Sequence, residues 1–113
     1  MSKDADIPLT ELEQWIMYAV LRKAPSAYGV SIREDIAERT GRNFPLASIY
    51  AALERLERRG FIKCELGDPT AERGGRAKLL VSLRAQGQVA LDAAWKASRR
   101  MRFAPRRSGE QPV

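Results

Sequence analysis

The sequence contains no histidine and a single cysteine, Cys64. An intrachain disulfide is therefore impossible, and a Cys/His metal site lacks its donors. Triad-type nucleophilic catalysis lacks its usual base. No cofactor, no metal and no enzymatic activity are expected. Long apolar runs are missing too. The longest, residues 15–21, falls far short of the roughly 20 residues that a membrane helix needs. The opening Met1-Ser2-Lys3-Asp4-Ala5-Asp6 is polar and acidic, unlike the basic start and apolar stretch of a secretory leader. Together these features lead to the expectation of a cytoplasmic chain.

What is present suits one small domain. The chain has 113 residues, of which 44% are hydrophobic, enough for one modest core. The net charge is +6 and it is unevenly placed. Residues 1–60 hold nine Lys/Arg against nine Asp/Glu, and residues 61–113 hold eleven against five. All the excess lies in the second half. Such asymmetry fits an anionic partner, nucleic acid being the usual one. The plainer alternative is a solvated basic surface.

Local signals order the chain. Thr10 with Glu13 forms a capping box, and Pro25 stops what it starts, which predicts a helix over residues 11–23. Its interior, Trp15-Ile16-Met17-Tyr18-Ala19-Val20-Leu21, is apolar almost all round. A surface helix normally carries one apolar stripe, so the second face is assigned here to another subunit. Tyr28-Gly29 reads as a break. Ile32, Ile36 and Ala37 then fall at helical spacing over residues 31–39, ended by Thr40-Gly41. After the short loop of residues 42–45, Ile49, Ala52, Leu53 and Leu56 form the stripe of a helix over residues 46–59, with Gly60 as its stop.

Residues 61–66 alternate like a strand, Gly67-Asp68-Pro69 begins a turn, and residues 77–83 form a second strand. The hairpin carries a basic tip of Arg73, Arg76 and Lys78. Cys64 falls in the first strand, where a buried inert thiol is favoured over a redox sensor. A last helix spans residues 85–102, with Leu91, Ala94, Trp95, Ser98 and Met101 on one face. Residues 96–107 hold six basic side chains and no acid. The expected division is a flexible segment at 1–8, a winged helix-turn-helix at 9–83, a dimerisation helix at 84–103 and a disordered basic tail at 104–113.

The order helix, helix, helix, hairpin, helix defines a mainly α fold with a small β-hairpin. Its second and third helices are joined closely, as a helix-turn-helix requires. The third helix can then pack its stripe inward and offer its other face to the major groove of double-stranded DNA. That face presents Ala47, Ser48 and Ala51, small enough to let the backbone approach base edges, and then Arg55. Ser48 can donate to phosphate or base, Ala51 can touch a thymine methyl, and Arg55 can reach phosphate or guanine. Alternatively Arg55, with Glu54, Glu57 and Arg58 nearby, forms surface ion pairs. Tyr50 either sets its hydroxyl on a phosphate or belongs to the core. Arg73, Arg76 and Lys78 suit the phosphate backbone or the minor groove. A protein-assembly module built on the same fold, without DNA reading, is the competing possibility.

Residues 9–87 resemble the PadR family of bacterial transcriptional regulators. The resemblance rests on Leu9-Thr10-Glu11-Leu12-Glu13, on Tyr28-Gly29, and on the run from Ser48-Ile49-Tyr50 through Leu53, Arg55-Leu56 and Gly60-Phe61-Ile62. Gly75-Arg76-Ala77-Lys78, Leu83 and Gly87 extend it. Two positions depart: the second wing strand reads Leu79-Leu80-Val81 where the family has paired tyrosines, and Arg84 stands where it has Thr. The resemblance implies a nucleoid-associated repressor that forms a homodimer through its first and last helices. The residues so assigned are Leu12, Trp15, Ile16, Ala19, Leu91, Trp95 and Met101. It also implies an interface cavity that accepts an aromatic effector between Trp15 and Trp95; the alternative is that both rings are interface core.

Overall fold

The computed structural model describes residues 7–67 and 78–103. Six elements follow in the order expected: α1 (Glu11–Lys23), α2 (Gly29–Thr40), α3 (Leu46–Arg58), β1 (Ile62–Leu66), β2 (Leu79–Leu83) and α4 (Ala85–Phe103).

The capping box at α1 is present in full. Thr10 Oγ1 accepts the Glu13 N–H at 3.1 Å, and Glu13 Oε1 accepts the Thr10 N–H at 2.7 Å. Two of the helix's orphan donors are thereby satisfied. The Tyr28-Gly29 break is the start of α2 rather than a gap before it, and the Ser31 hydroxyl caps that start by accepting the Tyr28 N–H at 3.0 Å. Gly41 ends α2 in the left-handed region at φ 75°, its N–H bonded to the Ala37 carbonyl. Residues 41–45 make the turn, and Pro45 sits at the entry to α3.

The core lies where α1, α2, α3 and the hairpin meet. Ile16, Met17, Ala19 and Val20 of α1 are buried with Ile32 and Ile36 of α2 and with Ile49, Ala52, Leu53 and Leu56 of α3. Each large aliphatic side chain so buried contributes about 2 kcal/mol relative to its exposed state. The α3 stripe is the one expected. The reading of α1 needs correction. Its second apolar face is covered within the same chain, since α1 packs on α2 and α3 and also on β2 and α4. Ile16 and Ala19 have no exposed surface, and Leu91 of α4 is buried over α1 with them. These three residues therefore leave the candidate interface, because their own chain already occupies them.

The hairpin is antiparallel, pairing Ile62 with Leu83, Cys64 with Val81 and Leu66 with Leu79. The Gly67 N–H bonds to the Lys78 carbonyl at 2.8 Å, extending the ladder by one step. The Val81 N–H bonds to the Ala27 carbonyl, which ties the wing to the chain entering α2. At the two departures from the family pattern, Leu79 is exposed and Val81 is buried, and the Arg84 N–H bonds to the Phe61 carbonyl. The wing packs through Val81 without needing a tyrosine there.

α4 begins against the wing. A Cβ on Gly87 would stand 2.1 Å from the Phe61 carbonyl oxygen, so only glycine permits that approach. Beyond Leu91 and the half-buried Ala94 the helix leaves the body, and every residue from Trp95 to Phe103 is exposed.

Candidate nucleic-acid interface

α3 turns about 100° per residue, so the side opposite Ile49, Leu53 and Leu56 carries Ala47, Ala51, Glu54 and Arg58. All four are exposed. Ser48 is half-buried on the flank. The end of α3 nearest the turn is thus small and free of charge. A long-side-chain pair follows one turn later, with Arg58 Nη2 3.5 Å from Glu54 Oε1.

Arg55 differs from expectation. Its Nε lies 3.2 Å from Oε2 of Glu13, the capping carboxylate of α1, which is 3% exposed. The guanidinium is therefore directed across to α1 rather than outward with Ala51. Arg58, which the sequence offers only as an ion-pair neighbour of Arg55, occupies the outward position. The signal for this is helical spacing: Arg58 falls seven residues after Ala51, on the outer face, and Arg55 seven after Ser48, on the flank.

Tyr50 stands at the edge of α3 and is 45% exposed, which removes it from the core. Its ring lies over the first turn of α2. A Cβ on Gly29 would fall 2.7 Å from the Tyr50 Cε1 and Cζ atoms and 2.8 Å from its hydroxyl. Gly29 is thus the residue that lets the ring seat there. Lys78, at the loop end of the wing opposite Gly67, holds its Nζ 4.3 Å from the centroid of the Tyr28 ring, a cation–π distance. Tyr28, Gly29, Tyr50 and Lys78 bring α2, α3 and the wing to one corner. Arg73 and Arg76 lie outside the described residues.

The two tryptophans face different neighbours. Trp15 packs edge-on to Phe44 in the helix-turn-helix turn, with centroids 6.2 Å apart, and the Arg42 guanidinium lies 5.6 Å from its ring. Arg42 in turn reaches Glu11 at 3.3 Å. Trp95 stands 51% exposed on α4 with Arg99 at 5.3 Å. Within one chain, then, the two rings stand in separate surroundings. Leu12 is half-buried and Met101 is 86% exposed. Beside α4 runs a groove walled by Ala90, Ala93, Ala94 and Ala97 on one side and Ile7, Pro8 and Leu9 on the other, with Arg59 and Phe61 between them.

Three ionisable groups are shifted, Tyr18 among them, whose phenol is raised by burial with Asp92 adding to the rise. The hydrogen bond from Arg22 holds the Asp35 carboxyl below its usual range against the opposing effect of burial, and Arg39 adds to the lowering. This pair joins the end of α1 to α2. Burial pushes the Cys64 thiol up to about 11, and Glu57 beside it adds to the rise. The side chain is half-buried rather than buried, yet its thiolate is scarce at neutral pH, which makes it inert. Among the described residues no group of His, Cys, Asp and Glu could hold a metal, and no helix is long and apolar enough to cross a membrane.

A three-helix body with α3 presented beside a two-stranded wing, followed by a long fourth helix, defines a winged helix-turn-helix protein. Residues 17–93 match the transcriptional regulator PadR-like family, and the chain belongs to that family. The fold is shared with several solved regulators. One from Thermoplasma acidophilum is 21% identical, with 80% of this chain and 82% of that one covered at a TM-score of 0.67. A PadR family regulator from Clostridium difficile is 20% identical, with 82% and 92% covered at 0.69. PadR of Bacillus subtilis, solved in complex with operator DNA, is 21% identical, with 93% of this chain and 55% of that one covered at 0.62. No curated protein sequence matches this chain.

Proposed function

We propose that this regulator is a cytoplasmic homodimeric repressor that reads a palindromic operator in double-stranded DNA through the outer face of α3. The observation that carries the reading is that face: Ala47 and Ala51 exposed, Ser48 on the flank, and a buried apolar stripe behind them. A helix so built can sit deep in a major groove, with methyl-sized side chains against base edges. Tyr50 and Lys78 flank it toward the phosphates, and Arg73 and Arg76, basic residues of the wing sequence, are assigned phosphate contacts as well. The solved operator complex of the Bacillus subtilis relative supports the assignment.

Dimerisation rests on α4. A nine-residue helical stretch so exposed is marginal in water, and this one exposes Trp95, Met101 and Phe103. A second copy laid along it would cover those side chains and place two α3 helices about 34 Å apart, one turn of DNA. An aromatic compound stacked on Trp95 at that interface would release the operator by shifting the spacing of the two heads. Quenching of tryptophan fluorescence by aromatic compounds, lost in Trp95→Ala, is the expected signature.

The test of the DNA assignment is anisotropy titration of a duplex from the region upstream of the protein's own gene. Wild type binds with an affinity that falls steeply and linearly on a log–log salt scale. Ala51→Glu, which sets a carboxylate against the groove, abolishes specific binding. Salt-independent behaviour, or an Ala51→Glu variant that binds as wild type does, would favour a protein-assembly role for the fold.

A further inference from the structure

We infer that Glu13 and Arg55 are a positioning pair that fixes the seat of the reading helix on α1, and that Arg58 is the α3 cation that meets the DNA backbone. This rests on the reading of α3 as the DNA-contacting element and adds to it how that element is held.

The core contacts behind α3 are apolar and non-directional, with Ile49, Ala52, Leu53 and Leu56 packed inward, and near its C-terminal end Glu57 accepts the Cys64 N–H of β1 at 3.2 Å. Packing of that kind sets distance well, but a helix can slide or roll on it by fractions of an ångström at low cost. Groove reading tolerates little such error, because base-edge contacts depend on hydrogen-bond geometry. A directional tie is supplied by Glu13. Its carboxylate is buried, and both its oxygens are engaged: Oε1 accepts the Thr10 N–H at 2.7 Å and Oε2 accepts Arg55 Nε at 3.2 Å. One side chain thus closes the first turn of α1 and reaches α3, 42 residues away in sequence. Arg55 commits its Nε donor to the tie, which draws the base of the guanidinium toward α1 and away from the line of Ala47 and Ala51.

Arg58 contrasts with it. Its partner Glu54 is as exposed as Arg58 is, and their separation is 3.5 Å. Exposed pairs of this sort contribute little to stability, so Arg58 can exchange Glu54 for a phosphate with little loss. The two arginines differ in what their removal changes. A phosphate contact contributes to every duplex and to the salt slope. A positioning contact contributes to the operator and leaves the slope alone.

The experiment compares Glu13→Gln, Arg55→Ala, the double variant and Arg58→Ala on an operator duplex and on a scrambled duplex, from about 50 to 200 mM salt, with thermal unfolding of each protein. Glutamine keeps an oxygen for the α1 cap, so that variant folds. Glu13→Gln and Arg55→Ala are each expected to weaken operator binding about 10-fold, the scale of a hydrogen bond to a charged group. Binding to the scrambled duplex and the salt slope stay unchanged, and the double variant is no worse than either single one. Arg58→Ala weakens both duplexes alike and lowers the slope by about one unit. The inference is overturned if Arg55→Ala lowers the slope while Glu13→Gln binds normally, or if the two single effects add. A wild type that binds neither duplex removes the DNA reading itself, and the inference with it.

Discussion

α1 and α4 are both rich in apolar side chains, and their surroundings are opposite. α1 is enclosed by its own chain, with Ile16, Met17, Ala19 and Val20 buried and only its ends and Leu21 facing out. α4 buries Gly87 and Leu91 and leaves Val89, Trp95, Met101 and Phe103 in solvent. The difference shows what an apolar helix establishes by itself. It requires cover, but its residues do not say which chain provides it. In this fold α1 is the axle around which α2, α3, the wing and the root of α4 are arranged, and α4 is the element whose apolar side chains the described chain leaves exposed.

This contrast can be broken by substitutions on each side of it. Ile16→Ala removes a side chain with no exposed surface at the centre of α1 and is expected to cost about 4 kcal/mol of folding stability in urea denaturation. A cost under about 1 kcal/mol would mean that α1 is not the axle. Gly87→Ala tests the joint between the two regions. Its Cβ would overlap the Phe61 carbonyl, so α4 must lift from the wing, at a cost of about 3 kcal/mol. Trp95→Ala is expected to leave the folding of one chain nearly unchanged and to weaken self-association by about 2 kcal/mol, read by sedimentation equilibrium. A variant that unfolds without a change in association would place Trp95 in the core instead.

The smallest effect concerns Asp35, which clasps the end of α1 through Arg22. Its carboxyl is lowered in the folded protein, so its contribution is fully present above the ordinary carboxylate range and is lost as pH falls through the lowered value. The urea midpoint of wild type should drop more steeply below about pH 4 than that of Asp35→Asn. Parallel curves would show that the clasp does not titrate with folding.

The comparison also marks how far the sequence could be read. Elements defined by neighbours in the chain were legible: the Thr10–Glu13 box, the α3 stripe of Ile49, Ala52, Leu53 and Leu56, and the stops at Gly41 and Gly60. Each depends on spacing or on a backbone angle that glycine alone adopts easily. Elements defined by distant partners were not. Nothing near Arg55 announces Glu13, so Arg55 was placed facing the groove with Ala51. Trp15 and Trp95 are paired in the sequence by the two helices that the family resemblance assigns to the interface, whereas the Trp15 ring meets Phe44, inside the turn between α2 and α3. Tyr50 lay open between two roles until the missing Cβ of Gly29 showed where its ring rests.

Stability of the monomer and reading by the pair should separate in one measurement. The double substitution Trp95→Ala/Met101→Ala is compared with wild type by anisotropy on the same operator duplex, with light scattering to count chains per complex. Wild type is expected to bind as two chains per duplex, and the folded double variant to bind at least about 100-fold more weakly, as one chain at a time, because the second half-site no longer comes at high effective concentration. A monomeric variant that holds the operator as tightly as wild type would contradict the claim that α4 completes the molecule.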